Sequence, residues 1–115
     1  MNRLYKILII GIFIYAAGHM AYTFYYDSLQ TAESKIWFFS AGLATFFNAL
    51  INMVHQQLKT RVTRNYATVA NSVLLIFLFV MSAAVPEIQV YIFIALMLAV
   101  IVVSALVKVA LSNKL

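Results

Sequence analysis

The chain contains no cysteine. Disulfides, thiolate metal sites and cysteine nucleophiles are therefore excluded. It has one proline and three glycines in 115 residues. That is too few for linkers or low-complexity segments, so a single domain over residues 1–115 is expected. Charge is also scarce. Only 10% of residues are Asp, Glu, Lys or Arg, against about 25% in soluble domains. So few charges cannot cover a soluble surface. The acids number three, and none lies inside a hydrophobic run.

What remains is apolar: 65% of the residues are hydrophobic. A helix needs about 20 apolar residues to cross the hydrocarbon core of a bilayer. Four runs qualify, at about 4–25, 36–54, 66–85 and 88–111. The first has a basic start, but it is longer than a signal-peptide core. Aromatic and polar residues follow it instead of a small-residue cleavage site. It is expected to be a retained helix. The connections "DSLQTAESK", "HQQLKTRVTRN" and "PE" are short, with the basic middle one the longest. Short links force sequential helices to lie side by side in opposite directions. The expected fold is an all-α membrane protein, four transmembrane helices in an up-down-up-down antiparallel bundle. Pro86 suits the first position of the fourth helix, where its missing N–H costs nothing.

The cations are unevenly placed. Arg3, Lys6, Lys59, Arg61, Arg64, Lys108 and Lys114 fall on one side of this bundle. Lys35 falls on the other, with Asp27, Glu33 and Glu87. The positive-inside rule then puts both termini of this multi-pass protein in the cytoplasm. Tyr25, Tyr26, Trp37 and Tyr91 would mark the outer interface. The basic groups read as topology signals beside anionic lipids, not as a nucleic-acid surface.

The first two helices carry unusual polarity. Gly11, Tyr15, Gly18, His19, Tyr22 and Tyr26 share one face of the first helix by their spacing of three and four. Trp37, Ala41, Ala44, Thr45, Asn48, Asn52 and His55 share one face of the second. Polar side chains at membrane depth should face a partner helix or a wet cavity, so these two faces are expected to meet. Gly18, Ala41, Gly42 and Ala44 would permit close approach. At helical rise His19 lies roughly 10 Å below Tyr26. A ligand-binding cavity lined by Tyr15, His19, Tyr22, Trp37, Ser40, Thr45 and Asn48 is expected there, opening toward the outer leaflet. The His19 ring should be neutral and bonded to a hydroxyl or water near Ser40, Thr45 or Tyr15. Asn48 and Asn52 can equally tie helices together. His55, beside Gln56 and Gln57, reads as a solvated interfacial residue. The fourth helix is almost wholly aliphatic. Its expected roles are lipid contact, bundle packing or a subunit interface through which the protein could form a homo-oligomer, and it should face lipid or another subunit more than the polar hairpin does.

Several chemistries find no residues. His19 and His55 are about 20 Å apart along the membrane normal by helical rise and cannot hold one haem iron. No carboxylate or second histidine joins His19, so a zinc site is not expected. No acid stands at its depth to orient a Ser40–His19 pair for nucleophilic catalysis. No phosphate loop is present, and no glutamate is embedded as in small multidrug transporters. No catalytic residue, metal or cofactor is assigned, and the chain reads as a non-enzyme.

His19 and Thr23, then Trp37, Phe38, Gly42, Leu43, Ala44 and Asn52 within "WFFSAGLATFFNALIN", form a pattern over residues 18–52. It resembles small bacterial four-helix membrane proteins of unassigned function and, more distantly, the DoxX-like group. The resemblance implies a four-helix bundle in the inner membrane of a bacterium. Phe24 stands where such proteins often place a proline. Some DoxX-like proteins are tied to quinone or redox chemistry, but no motif here carries it. The expected function is to bind or transport a small hydrophobic or amphipathic molecule between the first two helices. The alternatives are a structural or accessory membrane subunit without a ligand and a quinone-linked redox protein.

Overall fold

A computed structural model describes residues 1–25 and 31–109. Tyr26, Asp27, Lys114 and the last residues of the expected fourth span lie outside the described residues. The chain forms four helices: α1 (Asn2–Tyr22), α2 (Ala32–Leu58), α3 (Arg61–Ala84) and α4 (Ile88–Leu106). No strand occurs among the described residues. All four helices are long and apolar enough to cross a membrane.

Their ends are set by local chemistry. Thr31 caps α2: its hydroxyl accepts the Ser34 N–H at 3.0 Å, and Ser34 Oγ accepts the Thr31 N–H in return. Thr60 and Thr63 repeat this reciprocal cap at the start of α3. The 27 residues of α2 make about 40 Å of helix, more than the roughly 30 Å of a hydrocarbon core.

The middle connection departs from expectation. Only Lys59 and Thr60 separate α2 from α3, so the basic segment is not a long loop. Hydropathy marks where a chain leaves lipid, not where its helix stops, and "HQQL" and "RVTRN" remain helical. Lys59 makes the turn in the left-handed region (φ 52°, ψ 43°), with its N–H on the His55 carbonyl at 2.8 Å. Pro86 is also displaced from the expected first helical position. It precedes Glu87, which occupies the N-cap position of α4 without a side-chain bond to the helix, and it holds Val85 out of the helical region (φ −132°, ψ 81°). That steric restriction ends α3.

The helices pack as a ring, α1 on α2 and α4, α3 on α2 and α4. Contacts run in opposite order along neighbouring helices. Asn2 meets Gln56, Tyr5 meets Asn52 and His19 meets Phe38 between α1 and α2. His55 meets Thr63 and Asn52 meets Asn71 between α2 and α3.

The fourth helix packs one side into the bundle and leaves Ile88, Tyr91, Ile92, Leu98, Val102 and Leu106 exposed on the other. Val90, Phe93, Ile94, Met97, Val100, Val103 and Ser104 are buried. They interlock with Tyr5, Ile9 and Ile12 of α1, Ala49 of α2 and Leu78 of α3. A helix that is apolar all round has no sequence-encoded outer face, so its burial follows from its neighbours. The most exposed helix is α3, where Tyr66, Val69, Val73, Ile76 and Val80 point outward.

Close approach of α1 and α2 rests on one of the expected glycines. A Cβ on Gly42 would stand 2.5 Å from Met20 Cγ and 3.3 Å from the Met20 backbone nitrogen. Gly18 has nothing within 4 Å and plays no such part.

Candidate functional site

The seven residues expected to line one cavity are distributed among three environments. His19 does turn toward α2. Its ring stacks on Phe38 with centroids 3.9 Å apart, and its Nε2–H donates to the Phe38 carbonyl oxygen at 3.0 Å. The partner is a backbone carbonyl instead of the expected hydroxyl. The hydroxyls are occupied elsewhere: Ser40 donates to the Trp37 carbonyl and Thr45 to the Ala41 carbonyl, each on its own helix. Tyr15 faces α4. Its hydroxyl donates to the Gln89 carbonyl at 2.7 Å, and its ring stacks on Phe93. Tyr22 and Trp37 are at least half exposed. Asn48 turns to α3, where its amide donates to Asn71 Oδ1 at 2.9 Å.

The densest polar constellation lies at the opposite end, where α2 meets α3. Asn52 and Asn71 are fully buried and bond to each other in both directions. Asn71 Oδ1 accepts from both Asn48 and Asn52, and Asn52 Nδ2 also reaches the Asn48 carbonyl. Tyr5 of α1 completes the group, its hydroxyl donating to Asn52 Oδ1 at 2.6 Å. The cluster therefore joins three helices.

One turn nearer the link, His55 is fully buried, not solvated as expected. Its Nε2–H donates to the Ser104 carbonyl of α4 at 3.2 Å, and Nδ1 lies 3.0 Å from Thr63 Oγ1 of α3. The Tyr5 ring meets it edge-on at 5.9 Å. The two-residue link explains the burial, because it folds α3 directly over His55. Tyr5 was missed by sequence reading. Its signal was the spacing Tyr5, Ile9, Ile12, Ala16, which is the buried face of α1.

Every buried side-chain nitrogen and oxygen among the described residues has a hydrogen-bond partner. Among them no three carboxylates or histidines converge as metal ligands would. The constellation can hold helices in register, but it leaves no polar atom directed at a ligand.

A groove of about 240 Å³ runs between the end of α1 and the first turns of α2. Thr23, Phe24, Lys35, Ile36, Phe39, Ser40 and Leu43 line it. Ser40 is its one member from the expected set. Thr23 is tied down by a bond from its hydroxyl to the His19 carbonyl. The backbone carbonyl of His19 thus holds Thr23 at the groove, and the His19 ring engages Phe38, the neighbour of the lining residue Phe39.

No protein-family model, curated protein or solved structure matches this chain.

Proposed function

We propose that this chain is a multi-pass protein of the bacterial inner membrane that holds a small hydrophobic or amphipathic molecule between α1 and α2, in the outer leaflet. In this reading the four helices cross up-down-up-down with both termini in the cytoplasm. The division of Lys and Arg supports that direction. The observation that carries the reading is the groove between Thr23 and Leu43, walled by Phe24, Ile36 and Phe39. Its chemistry is that of ligand pockets generally, mostly apolar with few polar groups.

The test is native mass spectrometry of the protein stripped of lipid in a neutral detergent and titrated with monoolein, an uncharged amphiphile. One saturable adduct is expected, lost when Leu43→Trp fills the groove. An adduct of equal affinity in Leu43→Trp would overturn the reading.

A structural or accessory role is the second reading. The complete pairing of buried polar groups among the described residues favours it, because polar residues that only fix helix packing would look the same. It predicts no saturable adduct at all.

A further inference from the structure

The groove carries one charge, and its position relative to the apolar walls is informative. Lys35 lines the groove together with Phe24, Ile36, Phe39 and Leu43. It belongs to the first turn of α2, which Thr31 caps. A helix N-terminus carries partial positive charge from its unpaired N–H groups. A lysine there adds charge of the same sign where the dipole favours an anion. No ion pair engages the Lys35 ammonium among the described residues. Glu33 shares the turn, but residues two apart on a helix do not face each other. The hydroxyl protons at the groove are already donated, Thr23 to His19 and Ser40 to Trp37. The groove is therefore an apolar trough whose one charged lining residue is Lys35.

Resting on the amphiphile-binding reading above, we infer that the occupant is an anionic phospholipid of the surrounding bilayer, with one acyl chain along Phe24, Ile36, Phe39 and Leu43 and its phosphate at Lys35. Three features support a lipid. Phe24, Ile36, Phe39 and Leu43 give the groove an apolar track that suits an acyl chain. Phe24 and Ile36 are about 70% exposed, so the groove opens sideways onto the surface that hydrocarbon would cover. The charge lies at the helix end, where headgroups stand when the apolar run spans the core. A phosphate there would meet the Lys35 ammonium. The chain's other cations cluster at the opposite end, so Lys35 is the group able to select a headgroup on this side.

The test uses the full chain in neutral detergent, titrated separately with dioleoylphosphatidylglycerol, dioleoylphosphatidylcholine and monoolein, with adducts resolved by native mass spectrometry. Because Lys59 and Arg61 at the far end also attract anionic lipid, the double variant Lys59→Gln/Arg61→Gln provides the background. In that background the first phosphatidylglycerol adduct should form about fivefold more tightly than the phosphatidylcholine adduct, as one lysine near a headgroup provides. Adding Lys35→Gln should remove that preference and leave monoolein binding unchanged. Leu43→Trp should abolish all three adducts. A preference that survives Lys35→Gln, with monoolein still bound, overturns the headgroup assignment alone. Loss of every adduct already in the parent protein overturns the amphiphile reading with it.

Discussion

Asn52 of α2 and Asn71 of α3 exchange amide hydrogen bonds in both directions, at 2.7 and 2.9 Å, with neither side chain exposed. An asparagine amide has two donors and an acceptor with two lone pairs, and this pair uses nearly all of that capacity together with Asn48 and Tyr5. Asn71→Leu removes the acceptor for two buried donors at once. It should destabilise the bundle by about 2–3 kcal/mol, from lost interhelical bonds and an unsatisfied amide. Reversible unfolding in mixed micelles measures this. Ser82→Ala, which removes a hydroxyl bonded only to its own helix at Phe79, should cost about 0.5 kcal/mol or less. Equal costs for the two would show that the amide cluster holds nothing together.

Tyr5→Phe tests the α1 arm of the cluster. The ring and its edge contact with His55 remain, and one hydrogen bond to Asn52 is lost. The expected cost is about 1 kcal/mol. In an Asn52→Leu background the same change should cost almost nothing, because the acceptor is already gone. A cost unchanged by that background would place the Tyr5 contribution elsewhere.

Gly42 and Gly18 should respond in opposite ways to alanine. Gly42→Ala forces Met20 away or separates α1 from α2, an overpacking cost of about 1–3 kcal/mol. Shortening the neighbour in Gly42→Ala/Met20→Ala should recover part of it. Gly18→Ala meets open space and should be neutral or slightly stabilising, from better helix propensity. Unfolding midpoints of the three variants decide the matter.

Because the chain has no cysteine, single cysteines report orientation without a background. Ala32→Cys and Arg61→Cys lie in exposed first turns at opposite ends of the bundle. A membrane-impermeant maleimide added to intact cells should label position 32 and not position 61. The reverse pattern would invert the proposed topology.

His19→Ala removes the stack on Phe38 and the bond to its carbonyl. The bundle should still fold, at a cost of about 1–2 kcal/mol. Monoolein should bind more weakly, because Phe38, the neighbour of the groove residue Phe39, is no longer held by the ring, while the Thr23 bond to the backbone carbonyl of residue 19 remains. His19→Phe keeps the stack and should recover most of the affinity. Full affinity in both variants would remove His19 from any role at the groove.

The four helices were legible in the hydropathy of the sequence, and so was the meeting of His19 with α2. The partners of the polar residues were not. Tyr15 and His19 share one helix face, yet Tyr15 reaches Gln89 of α4 while His19 reaches Phe38 of α2. Periodicity defines a stripe on a helix but not which of two adjacent neighbours each edge of the stripe will touch. His55 was misplaced for a different reason. Its neighbours Gln56 and Gln57 look solvated, and the turn that buries it depends on Lys59 adopting a conformation usually left to glycine. The threonine caps at 60 and 63 lack the acidic partner of the common capping pattern, so the start of α3 was hidden as well.

The amide cluster also bears on how the chain is made. Asn48 and Asn52 emerge from the ribosome before Asn71, and the α1–α2 hairpin enters the bilayer without their acceptor. Until α3 arrives, that hairpin exposes carboxamides that lipid cannot solvate. A chain truncated or stalled after α2 thus carries a polar flag, two amide donors whose shared acceptor on Asn71 is still to come. The complete chain hides that flag as soon as its second half docks.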